Sequence, residues 1–471
     1  VGSGKDGFDA VAWTEQEEPQ APLGSHLQSM AYPDNYRRHV EENHGRLTES
    51  AHHDGEDIRD LVLRGEYLYT ANGPGGFEVF DVANVDNKGF SERITSAPFS
   101  PLGQRLWVHT KYATSITLPS TQGIDPLRTH DPANEEQPIN KIYAYAYVTD
   151  KFEGLVDVMV GTLVDGDPTN NFFHDADVTR FNPGGALDGA THAYFAGTRL
   201  YVTCSAGLVV VDVSDPTKPR IAGRAPVGFL KNPRSIAVQF LYAFVTDDEG
   251  VKVLDLASPD NPAPVTKVPL RDAQGLYAAR TYLYVADGAD GMAIVDIKNP
   301  AAAHLASLYS AGGAMNDTRA VQIGSVNASM YALVADGRNG LRVLQVISPE
   351  NVPGYMGFSP PPNPKLIASF PTKGPALAVS RGLDRDRVVD ETGNQTVVFG
   401  RRGSRPFTGS EFDAFLRRDG KLYHVEDVSV KDGSLVTNSG NALTPTNAFV
   451  QEEPETPTQP ESGRLVRRPA D

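Results

Sequence analysis

Short apolar runs recur along the chain, and each pair is joined by a Gly/Asp turn. Leu68-Tyr-Thr-Ala-Asn-Gly73 precedes Gly76-Phe-Glu-Val-Phe-Asp81, and Tyr147-Val-Thr-Asp150 precedes Gly154-Leu-Val-Asp-Val158. The phrase returns before and through Gly207-Leu-Val-Val-Val-Asp212, Gly250-Val-Lys-Val-Leu-Asp255, Gly291-Met-Ala-Ile-Val-Asp296 and Gly340-Leu-Arg-Val-Leu-Gln345. A worn seventh copy is readable at Arg387–Gly393 and Thr396–Phe399. The runs are rich in β-branched and aromatic residues, and their length suits strands rather than helices. Two such runs across a Gly/Asp turn predict a hairpin. Further strands lie upstream (Arg234-Ser-Ile-Ala-Val238, Ala320-Val-Gln-Ile323) and downstream (Arg220-Ile-Ala-Gly223).

Asp212 to Asp255 is 43 residues, Asp255 to Asp296 is 41, and Asp296 to Gln345 is 49. A strand-built period of this size predicts a propeller blade. One blade has two apolar faces and cannot bury them; blades stacked around an axis bury both, and the closed ring shelters the sheet edges. The expected fold class is therefore all-β: a single β-propeller of about seven four-stranded blades, six also being allowed. Residues 55–406 form the propeller. Residues 1–54 and the segment after 406 are expected as extensions: 407–450 as a short helix near Ser410–Arg418 plus a hairpin across Lys431–Ser434, and 451–471 as a tail ordered only by a partner.

The phrase resembles the LVIVD-repeat family of bacterial β-propellers, through Leu208-Val-Val-Val-Asp212, Val251-Lys-Val-Leu-Asp255 and Met292-Ala-Ile-Val-Asp296. Three copies depart from it, with Met159, Gln345 and about Phe399 where the others carry Asp. The resemblance implies an exported protein, periplasmic or at the cell surface, and association with multihaem c-type cytochromes. A chain opening on Val1 rather than Met fits removal of a leader.

The second unit is stretched: Asp81 to Met159 is 78 residues. The excess is placed near 109–140 as an insertion, and long insertions in compact folds serve as functional or partner-contact loops. A net charge of −16 from 43 basic and 59 acidic residues argues against a nucleic-acid binder, which needs a basic stripe. No run approaches the ~20 apolar residues of a membrane-spanning helix. The lone Cys204 reads as a small buried hydrophobe. The chain has no CxxCH motif, so it attaches no c-type haem itself.

Acids that recur in every copy read as turn and strand-end residues, because a fold residue is needed in each blade and a catalytic one only once. Histidine is distributed unevenly. Five of eleven lie in the first 53 residues: His26, His39, His44, His52 and His53. Imidazole is a common haem-iron ligand. Their spacings make no closed metal site, so the expectation is an arm laid across a neighbour, with one or more of these histidines ligating haem c that a partner or preceding segment supplies. No GxSxG motif is present, and Gly73-Pro-Gly-Gly76 lacks the Lys-Ser/Thr of a phosphate loop. The leading functional expectation is a non-catalytic binding or scaffold propeller whose partner is a multihaem cytochrome or a homo-oligomeric assembly. The alternatives are a propeller enzyme (a hydrolase or metal-dependent oxidoreductase) with a central pocket, and a cell-surface adhesion protein.

Overall fold

A computed structural model describes residues 1–13, 47–53, 57–64, 67–81, 106–119, 140–164, 173–326, 329–348, 351–352 and 359–380. It also describes short strand segments at 401–402, 405–406, 417–418, 421–422, 428–431 and 434–437. Among these residues the fold is an all-β propeller of six four-stranded antiparallel blades. Blade 1 is Asp60–Arg64, Tyr67–Ala71, Phe77–Asp81 and Trp107–Val108; blade 2 is Ala113–Thr117, Tyr145–Asp150, Gly154–Met159 and Val178–Phe181. Blade 3 is His192–Ala196, Arg199–Cys204, Gly207–Asp212 and Arg220–Arg224; blade 4 is Ser235–Gln239, Tyr242–Asp247, Gly250–Asp255 and Ala263–Pro269. Blade 5 is Leu276–Ala279, Tyr282–Ala286, Met292–Asp296 and His304–Tyr309; blade 6 is Ala320–Val326, Ser329–Ala335, Leu341–Ile347 and Lys365–Phe370. Six is the lower of the two counts that the repeats allow. The worn copy at 387–399 lies outside the described residues.

The central two strands of each blade are the repeated phrase, and they are buried because both their faces meet another blade. Tyr201, Leu208 and Val210 of blade 3 pack with Ile236, Val245 and Leu254 of blade 4, and Phe244, Val251 and Val253 of blade 4 pack with Leu283, Val285 and Val295 of blade 5. A fully buried side chain of this kind contributes roughly 1.5–3 kcal/mol. Near the axis, threonine hydroxyls stitch neighbours together. Thr114 donates to the Ala190 carbonyl (2.9 Å), Thr191 to that of Pro233 (2.9 Å) and Thr246 to that of Gln274 (2.6 Å). The hairpin glycines are needed for contact as well as for turning. Gly76 sits at φ +87°, where a Cβ would lie 2.5 Å from the Val108 carbonyl oxygen.

The chain's beginning fills the gap between blade 6 and blade 1. Gly2 bridges Ala378, and Gly4 bridges Ile58. The turn Ser3–Gly7 repeats the hydrogen bonds of the blade turns. Ser3 N–H donates to Gly7 O as Asn72 does to Gly76 O and Asp336 to Gly340 O. Ile58 N–H then donates to Gly4 O as Ala113 does to Gly73 O and Ala376 to Gly337 O. Phe8 is buried with Ile58, Leu61, Leu68, Phe80 and Ala378, its ring edge-on to Phe80 at 5.2 Å. Val1 packs against blade 6 beside Ala335 and Val343, and Phe8–Trp13 pairs antiparallel with Leu47–His53. A seventh position in the ring is thus occupied by both ends of the propeller sequence.

Two expectations are corrected here. Residues 1–8 are part of the ring rather than an outlying arm, because Gly4-Lys-Asp-Gly7-Phe8 is itself a copy of the turn phrase. The insertion expected near 109–140 contains the inner strand of blade 2, Ala113–Thr117. Its hydroxyl-rich sequence reads as loop, yet Thr114 and Thr117 bond carbonyls of blade 3. Residues 120–139 lie outside the description. Asn351 and Asn363 clamp the two feet of the proline-rich 348–364 segment by donating to each other's carbonyls, both at 2.7 Å. Further along, Val428–Lys431 pairs with Ser434–Thr437. Within the stretch expected to be helical, Arg417–Arg418 is a strand segment paired with Lys421–Leu422, and 410–416 is outside the description.

Candidate functional site

Each inner strand begins at the same end of the ring, and their first residues surround an axial cleft of about 210 Å³. Arg59 and Asp60, Ser115, His192, Arg234, Gln274, Arg319 and Gln322 supply its polar lining, and Leu377–Val379 close it between blades 6 and 1. The charged groups of this lining are bonded within the ring. Asp60 accepts from the Ser115 hydroxyl (2.8 Å) and from the Ile116 (3.0 Å) and Leu61 (2.9 Å) amides. Arg59 pairs with Asp57 at 2.5 Å and Arg234 with Asp248 at 2.6 Å, while Arg319 pairs with Asp317. The Asp317 carboxyl sits below its ordinary range: burial opposes this, but the Arg338 amide and the Arg319 guanidinium outweigh it.

His192 is the one imidazole in this lining. Its Nδ1 accepts the Ile236 amide of blade 4 at 3.4 Å, which leaves the proton of a neutral ring on Nε2. Burial pushes its pKa down, more than the charge of Asp60 pulls it up. The cleft therefore presents a neutral imidazole, amides, hydroxyls and three guanidiniums already tied to carboxylates. Such a lining offers hydrogen-bonding groups held in fixed positions.

The repeated acids are structural. Asp150 accepts the amides of Tyr112 (2.5 Å), Phe152 (2.8 Å) and Glu153 (2.8 Å). Asp247, Asp287 and Asp336 likewise hold the chain that enters their own blade, at the amides of Lys231, Asp272 and Asp317. The strand-end Asp212, Asp255 and Asp296 each accept an amide two residues on. This local bonding is what Asp does in turns. Asp390 lies outside the described residues. Among the described residues, no group of three or more His, Cys, Asp or Glu stands together as a metal site.

His26, His39 and His44 fall in 14–46, outside the description. His52 and His53 occupy consecutive positions of Leu47–His53, opposite Asp9 and Phe8 in the backbone register. Sequence reasoning missed Asp60, His192, Gln274 and the three arginines. Their one shared signal is position, at the start of the strand upstream of each repeated phrase. Cys204 is buried at 1% exposure, and burial pushes its thiol up.

Six blades around a polar axial cleft define a β-propeller built from repeats of one hairpin phrase. Residues 55–95, 196–225 and 270–311 match the LVIVD repeat, which is consistent with an LVIVD-repeat β-propeller. The matched segments fall on blades 1, 3 and 5. No curated protein matches the sequence. Similar solved structures include the computationally designed Ika8 protein, at 12% identity and TM-score 0.37 over 61% of this chain and 70% of that one. A nidogen/laminin complex is similar at 12% identity and TM-score 0.35, covering 56% of this chain and 84% of that chain. A functionally unknown protein from Desulfotomaculum acetoxidans DSM 771 matches at 12% identity and TM-score 0.35, covering 56% and 74%.

Proposed function

We propose that this chain is an exported, non-catalytic binding propeller that holds a protein partner, and that the partner is a multihaem c-type cytochrome assembly. The observation that carries the binding role is the state of the axial cleft. Its titratable groups are hydrogen-bonded to the ring itself, so they fix a rigid polar mouth. A rigid ring binds without reordering its own backbone, which lowers the entropic cost of association. The cytochrome partner and the export rest on the LVIVD resemblance. Haem would be supplied by the partner or a preceding segment, with His26, His39, His44, His52 and His53 as this chain's candidate ligands to its iron. Purification of the native assembly under mild conditions tests this. The expected result is co-elution with a haem-staining protein, and a chain that elutes alone and free of haem protein refutes the partnership. Optical and EPR spectra of the complex after single His→Ala changes test the ligand candidates. Unchanged haem ligation in all five variants removes them.

A further inference from the structure

Blade 2 differs from the other blades at the tip of its central turn. Phe152 is there, 54% exposed. The corresponding turns are Pro74-Gly75, Ser205-Ala206, Asp248-Glu249, Gly288–Asp290 and Gly337–Asn339, and none carries an aromatic side chain. A residue that occurs once is not explained by the repeat. Phe152 is also held in place. Buried Asp150 binds the amides of Phe152 and Tyr112 together, and the Lys151 amide donates to Tyr112 O at 2.9 Å. The two rings meet edge to face, 6.5 Å apart at 90°. Lys151 Nζ lies 5.6 Å from the Phe152 ring centre and 5.9 Å from that of Tyr112, and the Arg59 guanidinium stands 5.6 Å over Tyr112.

The charges around these rings are layered. Arg180 and Arg59 have side chains 44% and 38% exposed, while their carboxylate partners Glu153 and Asp57 are 16% and 13% exposed. Lys111 and Lys151 are exposed as well. Glu153 is occupied by Arg180 and by the Lys111 amide, and Asp150 is fully buried. The outer layer therefore sets these four cations against one exposed carboxylate, Asp188, which Asn182 joins to the Phe152 carbonyl, on a chain of net charge −16. Fields from distant charges fade over about 8 Å at physiological salt, so an acidic partner meets attraction here and repulsion over most of the remaining surface. Phe, Tyr and Arg are also enriched at protein interfaces. Perpendicular rings offer no flat platform for stacking a sugar.

We infer that the rim of blade 2, formed by Phe152, Tyr112, Lys151 and Arg59, is a docking site for an acidic protein segment that carries an apolar anchor. Phe152 supplies the apolar contact, and the four cations set orientation. The site adjoins the axial cleft through Arg59, which lines both. It does not depend on whether the partner carries haem.

The test uses the full chain and two fluorescein-labelled twelve-residue peptides. One has a central Leu-Phe pair flanked by glutamates, and the other has lysines in place of the glutamates. Fluorescence anisotropy is expected to show saturable binding of the acidic peptide, weakened by added salt, and at least tenfold weaker binding of the lysine peptide. Phe152→Ala and Lys151→Glu are each expected to weaken the acidic peptide tenfold or more. Both side chains are exposed, and an unchanged circular dichroism spectrum checks that each variant is folded. Equal binding of the two peptides, no binding of the acidic one, or wild-type affinity in both variants overturns the inference. So does sedimentation showing that Phe152→Ala abolishes self-association of the chain, which would make the rim a contact between copies. Phosphatidylserine vesicles that bind the wild type but not Lys151→Glu, with no peptide binding, would assign the rim to a lipid surface and equally overturn it.

Discussion

Replacing Asp157 with valine should stabilise this protein. Asp157 lies in the third strand of blade 2, directly across from Tyr147. The same pairing in the other blades is Tyr69 with Val79, Tyr201 with Val210, Phe244 with Val253, Tyr284 with Ile294 and Leu333 with Val343. Five blades thus place an aliphatic side chain where blade 2 places a carboxyl group. Asp157 is fully buried, and neither of its side-chain oxygens has a hydrogen-bond partner. Burial pushes its pKa well above the ordinary carboxyl value. A buried polar group left unpaired costs about 1–3 kcal/mol, and valine, which four other blades place at this position, is no smaller, so no cavity opens. The expected gain for Asp157→Val is about 2 kcal/mol near neutral pH. The sign of its pH dependence follows from linkage. A carboxyl with a raised folded pKa favours the fold most at acid pH, and that advantage is lost as pH climbs from the unfolded value of about 3.9 toward the folded one. The gain from Asp157→Val should therefore grow with pH across that window. Asp157→Asn keeps the unpaired polarity but cannot ionise, so its effect should be smaller at every pH than that of valine. Urea unfolding midpoints, followed by circular dichroism at several pH values, measure all three chains. A destabilised Asp157→Val, or a gain that does not change with pH, refutes the reasoning.

Other outcomes follow from the same geometry. Asp212 is held below its ordinary pKa by the Ser214 amide and by Arg199 and Arg220, against the opposing effect of burial. Asp212→Asn should lower stability at neutral pH and converge with the wild type as the pH falls from about 3.9 through the lower folded value, as read from acid unfolding curves. Gly250→Ala forces a side chain at φ +122° into the Val268 carbonyl and the Leu270 amide, whereas Gly207→Ala at φ +102° meets nothing within 4 Å. The first should cost more than about 3 kcal/mol and the second about 1–2 kcal/mol, measured by denaturant midpoint. Cys204 should react with an aromatic disulfide reagent only as fast as its strands open, so that labelling in the native state is at least a hundredfold slower than in urea.

The central hairpins were readable from the sequence because every blade needs the same apolar pair and the same Gly at the turn. The inner strands were harder to read. Ala113–Thr117 carries three hydroxyls, two bonding carbonyls next door and one the Asp60 carboxylate, and only the assembled ring makes such a strand buried rather than loop-like. The cleft follows the same rule. Asp60, His192 and Gln322 share no residue type, so no motif links them; the topology alone brings the starts of their strands together. Phe152 stands in the turn between the two halves of a repeat in which most aromatic residues are core, so the sequence does not tell its exposure. The copy at Gly4–Phe8 is hard to recognise because it stands apart from the strand it completes.

Joining the propeller's two ends at one seam has a consequence for how the molecule is made. Blades 1 to 6 can hairpin one after another as the chain emerges, since each uses mainly local pairings. The contact of Gly2 with Ala378 spans nearly the whole propeller, and such a distant closure comes late. Until residue 378 has been synthesised, Phe8 and the apolar flank of blade 1 have no lid. A newborn chain should therefore lean on chaperones until its last inner strand arrives and the circle locks.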